Sequence, residues 1–471
     1  MPRRGSRCDN GEVPRFLSAQ PDARLIPLPW SVPLAAWPTE HLVALPRGIS
    51  RHVVRFIQVG DGVLAAKEVL ESPAVHEYRT LQELHRVGAP AVEPVAVVTD
   101  RVGPDGQPLD PILLTRHLQF SLPYRSLFST GVRPETVSRL LDAMVVLLAR
   151  LHLIGFLWGD VSLSNILFRR DAGEFAAYLV DAETAEMHDV LTTGQRAHDL
   201  DIAIVNLFGE FSDLEAGKLL DESLDPLELV QQIESRYHAL WRELTGVEEF
   251  SGDELFRIES RVRRLNQLGF DVAELDIRTA RDGSSVTIQP KVVDAGHHSR
   301  RLLRLTGLDT EEHQAQRLLN DLDTYRARYG LGHVEESVVA HRWLTESFQP
   351  VVHAVPPELT GKREQAQIFH EVLDYRWYAS QRAQREVPLT EAVHGYIHDV
   401  LAVLPDEVIS NEFVGAGSRT LLNPYDPSQG FADDEEEEEA PFDPWEAAAS
   451  DPDFESLPAV FDIDALRKLK G

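Results

Sequence analysis

Short runs in which apolar and polar residues alternate occupy the first part of the chain, and this period-two pattern predicts strands. The predicted strands are His41–Leu45, His52–Val59, Val63–Lys67, Val92–Val98 and Ile112–Thr115. Asp61 and Gly62 separate the second run from the third and are typical of a tight hairpin turn. Apolar residues at helical spacing in Pro73–Val87 predict one helix between the third and fourth strands. The first part of the chain is therefore predicted to form a small β-rich lobe.

Wider apolar stripes follow this lobe, and they predict helices. From about Pro134 to Leu153 the chain carries a broad stripe of leucine, valine and methionine. A second apolar helix is predicted over Ala197–Phe208, and a further helical region extends to about Leu244. This part of the chain is predicted to form a larger, helical lobe.

The pattern changes near Gly252. Two strands are predicted at Val272–Thr279 and Ser285–Val293, and the chain from there to about Leu404 has mostly helical spacing. Both ends lack periodicity, except for a short terminal helix behind Asp462, and they are predicted to be disordered. The predicted units are a disordered lead (1–24), a small lobe (25–118), a large lobe (119–250), a mostly helical C-terminal domain (251–414) and an acidic disordered tail (415–471).

Composition narrows the protein class. Hydrophobic residues make up 43% of the 471 residues, the mean hydropathy is −0.22, and no apolar run is long enough to span a membrane. A single cysteine, Cys8, and the absence of a secretory signal pattern favour a cytoplasmic location. The net charge of −30 disfavours nucleic acid as a partner. Seven consecutive acids, Asp433–Glu439, suggest a solubilising tail, with a basic partner as the alternative.

Three residues in the middle of the chain have the spacing of a phosphoryl-transfer site. Asp160 lies five positions before Asn165, and Asp181 ends the apolar run Tyr178–Val180. In such a site one carboxylate receives the proton of an acceptor hydroxyl, while an amide and a second carboxylate bind Mg²⁺. The spacing predicts Asp160 as the proton acceptor, and Asn165 and Asp181 as the metal ligands. The Asp160 and Asn165 spacing alone also suits a simple loop cap.

Two residues of the small lobe complete this pattern. Lys67 ends the third predicted strand, and Glu77 lies on the helix that follows. A strand lysine held by a helix glutamate is the usual contact to nucleotide phosphates in this kind of site. Taken alone, the two residues would suit an exposed ion pair of little energetic value.

Together these residues resemble the catalytic core of the protein-kinase-like superfamily. The resemblance covers about Leu42 to Leu244 and is strongest to bacterial lipopolysaccharide sugar kinases and aminoglycoside-type phosphotransferases. It implies an α+β, bilobal fold, ATP and Mg²⁺ as cofactors, and a hydroxyl-bearing acceptor. The region from about Val292 to Glu407, with His341–Glu346 and His370–Tyr378, is similar to a bacterial domain of unknown function that follows such kinase-like domains.

The sequence departs from the usual pattern at three places. Trp158 stands where a histidine normally braces the catalytic loop, and its presence suggests that a polar strut is lost. Ala182-Glu183 replaces the usual Phe-Gly after the metal-binding aspartate. The predicted phosphate-covering loop has only Gly48 and Ser50 where three glycines are common. These departures motivate a second hypothesis, a pseudokinase that binds nucleotide and acts as a regulator or scaffold through its C-terminal domain.

Two aspartates that follow Asp181 in the sequence have two alternative roles. Asp199 and Asp201 either brace the catalytic loop from below or cap the helix that carries them.

Overall fold

The computed structural model of the chain describes residues 14–45, 52–60, 62–128, 132–246, 248–251, 261, 265, 270–279 and 285–407. These residues confirm the predicted α+β class: a small lobe built on an antiparallel sheet, a larger helical lobe and a helical C-terminal part. The acidic tail and its predicted terminal helix lie outside the described residues, and the predicted domain boundaries stay predictions. Among the described helices, none combines the length and the apolar character that a membrane crossing requires.

A six-stranded antiparallel sheet in the order β1-β5-β8-β4-β3-β2 forms the small lobe. Its elements in chain order are β1 (Arg15–Leu17), β2 (Leu42–Val43), β3 (Val53–Val59), β4 (Gly62–Glu68), helix α1 (Glu71–Arg86), β5 (Pro94–Thr99), the short pair β6 (Arg101–Val102) and β7 (Pro108–Leu109), and β8 (Ile112–Arg116). Leu64 and Ala66 on β4 point into the core, so the intervening Ala65 and Lys67 point to the opposite face. The alternation that predicted this strand therefore also directs Lys67 away from that core.

The N-terminal segment corrects the predicted disordered lead. Residues 14–24 adopt a defined structure, in which β1 pairs with β5 so that Phe16 lies opposite Val98. Trp30 and Trp37 then pack against the sheet, and the buried Arg101 donates to the Trp30 carbonyl at 3.0 Å. The apolar residues of this segment are widely spaced and gain burial only against the folded sheet. No local period reveals them, which is why the prediction was wrong for residues 14–24.

The large lobe surrounds one apolar core. Its elements are β9 (Ser121–Pro123), α2 (Tyr124–Phe128), α3 (Pro134–Leu153), β10 (Phe156–Leu157), β11 (Ile166–Asp171), β12 (Glu174–Leu179), β13 (Glu186–Met187), α4 (Thr193–Ala216) and α5 (Pro226–Thr245). The apolar stripe of α3 is buried against this core along its length, as the sequence pattern predicted. Strands β11 and β12 form an antiparallel hairpin that pairs with β9.

The C-terminal part has a short sheet and a second apolar core. Its elements are β14 (Glu248–Ser251), β15 (Phe270–Thr279), β16 (Ser285–Ala295), α6 (His297–Thr306), α7 (Glu312–Arg328), α8 (Glu336–Trp343), α9 (Gln349–His353), α10 (Gln365–Ala383) and α11 (Leu389–Asp399). A π-helical turn over Leu344–Phe348 joins α8 to α9. Both predicted strands are present, and the region after them is helical.

The β11–β12 hairpin of the large lobe contacts the C-terminal domain at its tip. Asp171 accepts hydrogen bonds from the backbone N–H groups of His313 at 3.0 Å and Gln314 at 2.6 Å, and its carboxylate lies 2.8 Å from Nδ1 of His313. Burial alone would lower the pKa of His313, but the attraction of Asp171, with Glu174 and Glu312 nearby, raises it to about 9. The junction therefore favours a protonated His313.

We expect the melting temperature to fall as the pH rises from about 7 to about 10. A histidine whose pKa is higher in the folded than in the unfolded state contributes its full stability below its ordinary pKa of 6.5, and loses that contribution as the pH passes about 9. Because the His313 ring is 37% exposed, solvent screens this contribution and the step will be small. Melting curves of the wild type and His313→Gln measure it. The variant should lack the step, and parallel pH profiles for the two proteins would contradict the assignment.

Candidate active site

A cleft of about 750 Å³ lies between the two lobes, and it contains five of the predicted site residues. Its lining includes Lys67, Glu77, Asp160, Asn165 and Asp181. The two remaining predicted residues, Gly48 and Ser50, lie outside the described part of the chain. The fold therefore brings together residues that are 114 positions apart in the sequence.

Lys67 is surrounded by carboxylates from both lobes. Its Nζ lies 2.9 Å from Glu77 Oε2, 2.8 Å from Asp181 Oδ2 and 3.3 Å from Glu183 Oε2. Burial alone would lower the pKa of Lys67, but the attraction of Glu77 and Asp181 raises it overall. Glu77 is only 1% exposed, and burial, with Asp181 nearby, raises the pKa of its carboxyl to about 7. The pair is thus a buried ion pair rather than an exposed surface contact.

Two amide side chains orient the carboxylate of Asp160. Asn165 donates through Nδ2 to the Asp160 carbonyl at 3.0 Å and to its Oδ2 at 3.2 Å. Asn206 on α4 donates to Asp160 Oδ1 at 3.2 Å and to the Val161 carbonyl at 3.1 Å. Both carboxylate oxygens are therefore held in place while the group lines the cleft. Because each amide uses its nitrogen in these bonds, the carbonyl oxygen of Asn165 remains the atom suited to a metal ion.

Asp199 braces the loop that carries Asp160 from inside the large lobe. It is fully buried and accepts hydrogen bonds from the backbone N–H groups of Trp158 at 2.9 Å and Gly159 at 2.7 Å. The His152 ring, whose pKa is lowered by burial, lies 3.0 Å from the same carboxylate through Nε2. The sequence left Asp199 and Asp201 open between two roles. Asp199 braces the loop, whereas none of the described hydrogen bonds joins Asp201 to it.

Gly159 is required by the geometry of this loop. Its φ of +76° lies in the left-handed region, which residues other than glycine rarely adopt. A Cβ atom at this position would also lie 3.2 Å from the carbonyl oxygen of Thr184. The glycine before Asp160 therefore permits both the turn and the close approach of the segment that follows Asp181.

Sequence reasoning missed two residues of α4 that hold the same loop. Asn206 contacts Asp160, and Glu210 accepts from the backbone N–H groups of Leu163 at 2.6 Å and Ser164 at 3.0 Å. Burial raises the pKa of the Glu210 carboxyl. Asp199, Asn206 and Glu210 are separated by seven and four residues, which places them on one helix face. The signal that could have revealed them is the helical spacing of these polar residues among the buried apolar residues of α4.

Trp158 does not remove a polar strut, and this corrects the prediction. The fully buried indole donates through Nε1 to the carbonyl oxygen of Asp181 at 3.0 Å. In return, the hydroxyl of Thr184 donates to the Trp158 carbonyl at 3.1 Å. The loop that carries Asp160 and the segment that follows Asp181 are thus joined directly, because an indole N–H can serve as the donor.

Glu183, the residue in place of the usual glycine, adds a further carboxylate to the cleft. It lies 3.0 Å from Nε2 of His52, and its backbone N–H donates to Asp181 Oδ1 at 3.1 Å. Ligand oxygens of Glu77, Asp181 and Glu183 all lie within 4.8 Å of one another. Oxygen donors of this kind, together with the amide of Asn165 in the same cleft, suit a hard divalent cation such as Mg²⁺.

Comparisons with known proteins agree with the two parts of the fold. Residues 64–204 match the lipopolysaccharide kinase (Kdo/WaaP) family, and residues 239–401 match a domain of unknown function, DUF4032. No curated protein matches the chain. A solved structure of WaaP in complex with acyl carrier protein is 16% identical, covers 54% of this chain and 99% of its own, and has a TM-score of 0.31. The resemblance stated from the motifs is thus confirmed: the chain is similar to the lipopolysaccharide kinase (Kdo/WaaP) family over 64–204 and to DUF4032 over 239–401.

Proposed function

We propose that this protein is a phosphotransferase that moves the γ-phosphoryl group of Mg²⁺-bound ATP to a hydroxyl group of a small molecule or glycan, with ADP as the leaving product. One observation carries the proposal: Lys67 contacts Glu77 and Asp181, and Asp160 and Asn165 line the same cleft. The lipopolysaccharide kinase match over 64–204 includes all five residues and supports a sugar hydroxyl as the acceptor.

The charge of the cleft supports the use of a metal–nucleotide complex. Among the residues that the structure describes, Lys67 lies within 4 Å of the three carboxylates Glu77, Asp181 and Glu183, and Nε2 of His52 lies 3.0 Å from Glu183. Each of these carboxylates repels the polyphosphate of free ATP, because like charges repel. Asp181 and Asn165, with Glu183 beside them, would hold Mg²⁺, which neutralises phosphate charge when bound. Lys67 would then contact the nucleotide phosphates, held in position by Glu77.

The acceptor side of the cleft suits a polyhydroxylated molecule. Asp160 would accept the proton of the attacking hydroxyl, which then bonds to the γ-phosphorus. Ser162, Ser164 and Glu210 line the same cleft near Asp160 and can exchange hydrogen bonds with further hydroxyls. A glycan or sugar fits these partners better than an apolar alcohol does.

We expect Lys67→Met to lower kcat/KM for ATP by about 10²-fold or more, because a charge that stabilises the transferred phosphoryl group is lost. The measurement is ATP-dependent phosphate transfer to a panel of sugars and glycans, with products identified by mass. Lys218→Met is the matched control, since Lys218 is exposed and does not line the cleft. Equal activity of wild type and Lys67→Met would contradict the proposed site.

A regulatory nucleotide-binding protein is the second candidate function. It is favoured by Glu183, whose carboxylate lies 3.3 Å from Lys67 and competes with phosphate for it. Mg²⁺-ATP that raises the melting temperature without turnover of any acceptor would support this candidate. The absence of any nucleotide effect on melting would contradict both functions.

A further inference from the structure

The β11–β12 hairpin connects the two predicted metal ligands. Asn165 is followed at once by β11, and β12 ends at Leu179, two residues before Asp181. The N–H of Val180 donates to the Asn165 carbonyl at 3.1 Å, so the two ends of the hairpin lie side by side. The position of the hairpin therefore determines how Asn165 and Asp181 face each other.

The tip of this hairpin is held in a conformation that its sequence does not favour. Ala172 and Gly173 form the two-residue turn with φ values of +54° and +96°. Two-residue turns of this kind need positive φ at both positions, which suits glycine but strains alanine. Ala172 is only 2% exposed, and its N–H donates to Oε1 of Gln367 on α10 at 3.1 Å. The C-terminal domain thus contacts the strained residue itself.

Asp171, at the start of this turn, caps a helix of the C-terminal domain. Helix α7 begins after Glu311, whose side chain makes no capping bond. Asp171 accepts instead from the first-turn N–H groups of His313 and Gln314, and Gln314 Nε2 donates back to the Arg170 carbonyl at 3.0 Å. Asp171 is 2% exposed and Gln314 is 1% exposed. The cap is therefore a buried, reciprocal link between the hairpin and α7.

Three arginine–glutamate ion pairs extend this link along the hairpin. Arg169 lies 2.7 Å from Glu311 and 2.7 Å from Glu364, and Arg170 lies 2.8 Å from Glu407. The hydroxyl of Tyr178 on β12 donates to Glu311 at 2.7 Å. In these ion pairs the cations come from the hairpin and the carboxylates from the C-terminal domain, and with Tyr178 both strands of the hairpin contact that domain.

We propose that the C-terminal domain is a brace for the β11–β12 hairpin, with Asp171 as a positioning residue that sets the geometry of Asn165 and Asp181. The inference rests on the proposed function, in which those two residues hold Mg²⁺. Asn165 and Asp181 flank the hairpin, and groups that hold metal ligands in position commonly tune metal affinity. The domain of unknown function thereby acquires a role in the same reaction.

The test compares two identical substitutions in the full-length chain. Asp171→Asn places an amide N–H₂ group against N–H donors and loosens the hairpin. Asp321→Asn is the control, because Asp321 accepts from the Trp343 indole at 2.7 Å inside the C-terminal domain and none of its described bonds reaches the hairpin. The readout is the Mg²⁺ concentration that half-saturates binding of a fluorescent non-hydrolysable ATP analogue, alongside the melting temperature.

We expect Asp171→Asn to raise the half-saturating Mg²⁺ concentration about tenfold, whereas Asp321→Asn lowers only the melting temperature. Gln367→Ala removes the acceptor for Ala172 and should act in the same direction, so it replaces Asp171→Asn if that variant fails to fold. An unchanged half-saturating Mg²⁺ concentration in the folded hairpin variants would overturn the proposal that the C-terminal domain braces the hairpin. If the wild type binds no nucleotide analogue at all, the result contradicts the proposed function itself rather than the brace.

Discussion

Asp160→Asn is expected to lower kcat for phosphoryl transfer by about 10³-fold while leaving nucleotide affinity almost unchanged. The substitution keeps the shape of the side chain and leaves an oxygen that can accept from Asn165 or Asn206. It removes the carboxylate that, in the proposed reaction, receives the hydroxyl proton, and a positioned general base contributes about 10² to 10⁴ to a rate. Steady-state transfer measures the loss in kcat, and titration with a fluorescent ATP analogue measures nucleotide affinity.

A matched control separates this effect from a general change in charge. Asp189→Asn alters an exposed aspartate of the segment after Asp181 and should leave transfer within about twofold of the wild type. Similar rates for Asp160→Asn and Asp189→Asn would remove Asp160 from the reaction. Loss of nucleotide binding in Asp160→Asn would instead assign Asp160 to the binding of Mg²⁺-ATP.

Asp199→Ala is expected to lower the free energy of unfolding by about 3 to 5 kcal/mol, the largest stability effect expected here. The carboxylate is fully buried and accepts from Trp158 N, Gly159 N and the His152 ring. Its removal leaves those donors buried without an acceptor, and each unsatisfied donor costs about 1 to 3 kcal/mol. Thermal melting measures the loss, and transfer activity should fall with it because the loop that carries Asp160 loses its brace.

Asp201→Ala provides the comparison two residues along the same helix. Partial burial raises the pKa of Asp201, so removing this carboxyl should be close to neutral for stability. Equal melting temperatures for Asp199→Ala and Asp201→Ala would show that the bonds of Asp199 contribute little.

Local periodicity predicted the elements that carry most of the site. The alternation in Val63–Lys67 and the apolar stripe of Pro134–Leu153 correspond to β4 and α3, and the spacing from Asp160 to Asp181 led to residues of one cleft. Each of these signals lies within about twenty residues of the chain, and the strand and the helix each follow from one hydrophobic period. This is the range over which one sequence is informative.

Features that depend on distant partners were not predicted. The order of residues 14–24 depends on pairing of β1 with β5, more than eighty positions away. The role of Asp171 depends on the backbone of α7, whose N–H groups have no signature in the sequence. Asn206 and Glu210 gain meaning only once α4 lies beneath the catalytic loop. In each case tertiary contacts, rather than local sequence preferences, determine the structure.

Trp158 has a consequence for how the protein responds to acid. An indole N–H has no titration in the physiological range, whereas a histidine at the same position would gain or lose a proton between pH 5 and 8. The bond from Trp158 to the Asp181 carbonyl therefore keeps its donor at every pH at which the protein is folded. The link between the loop that carries Asp160 and the segment that follows Asp181 therefore does not depend on the protonation of its donor.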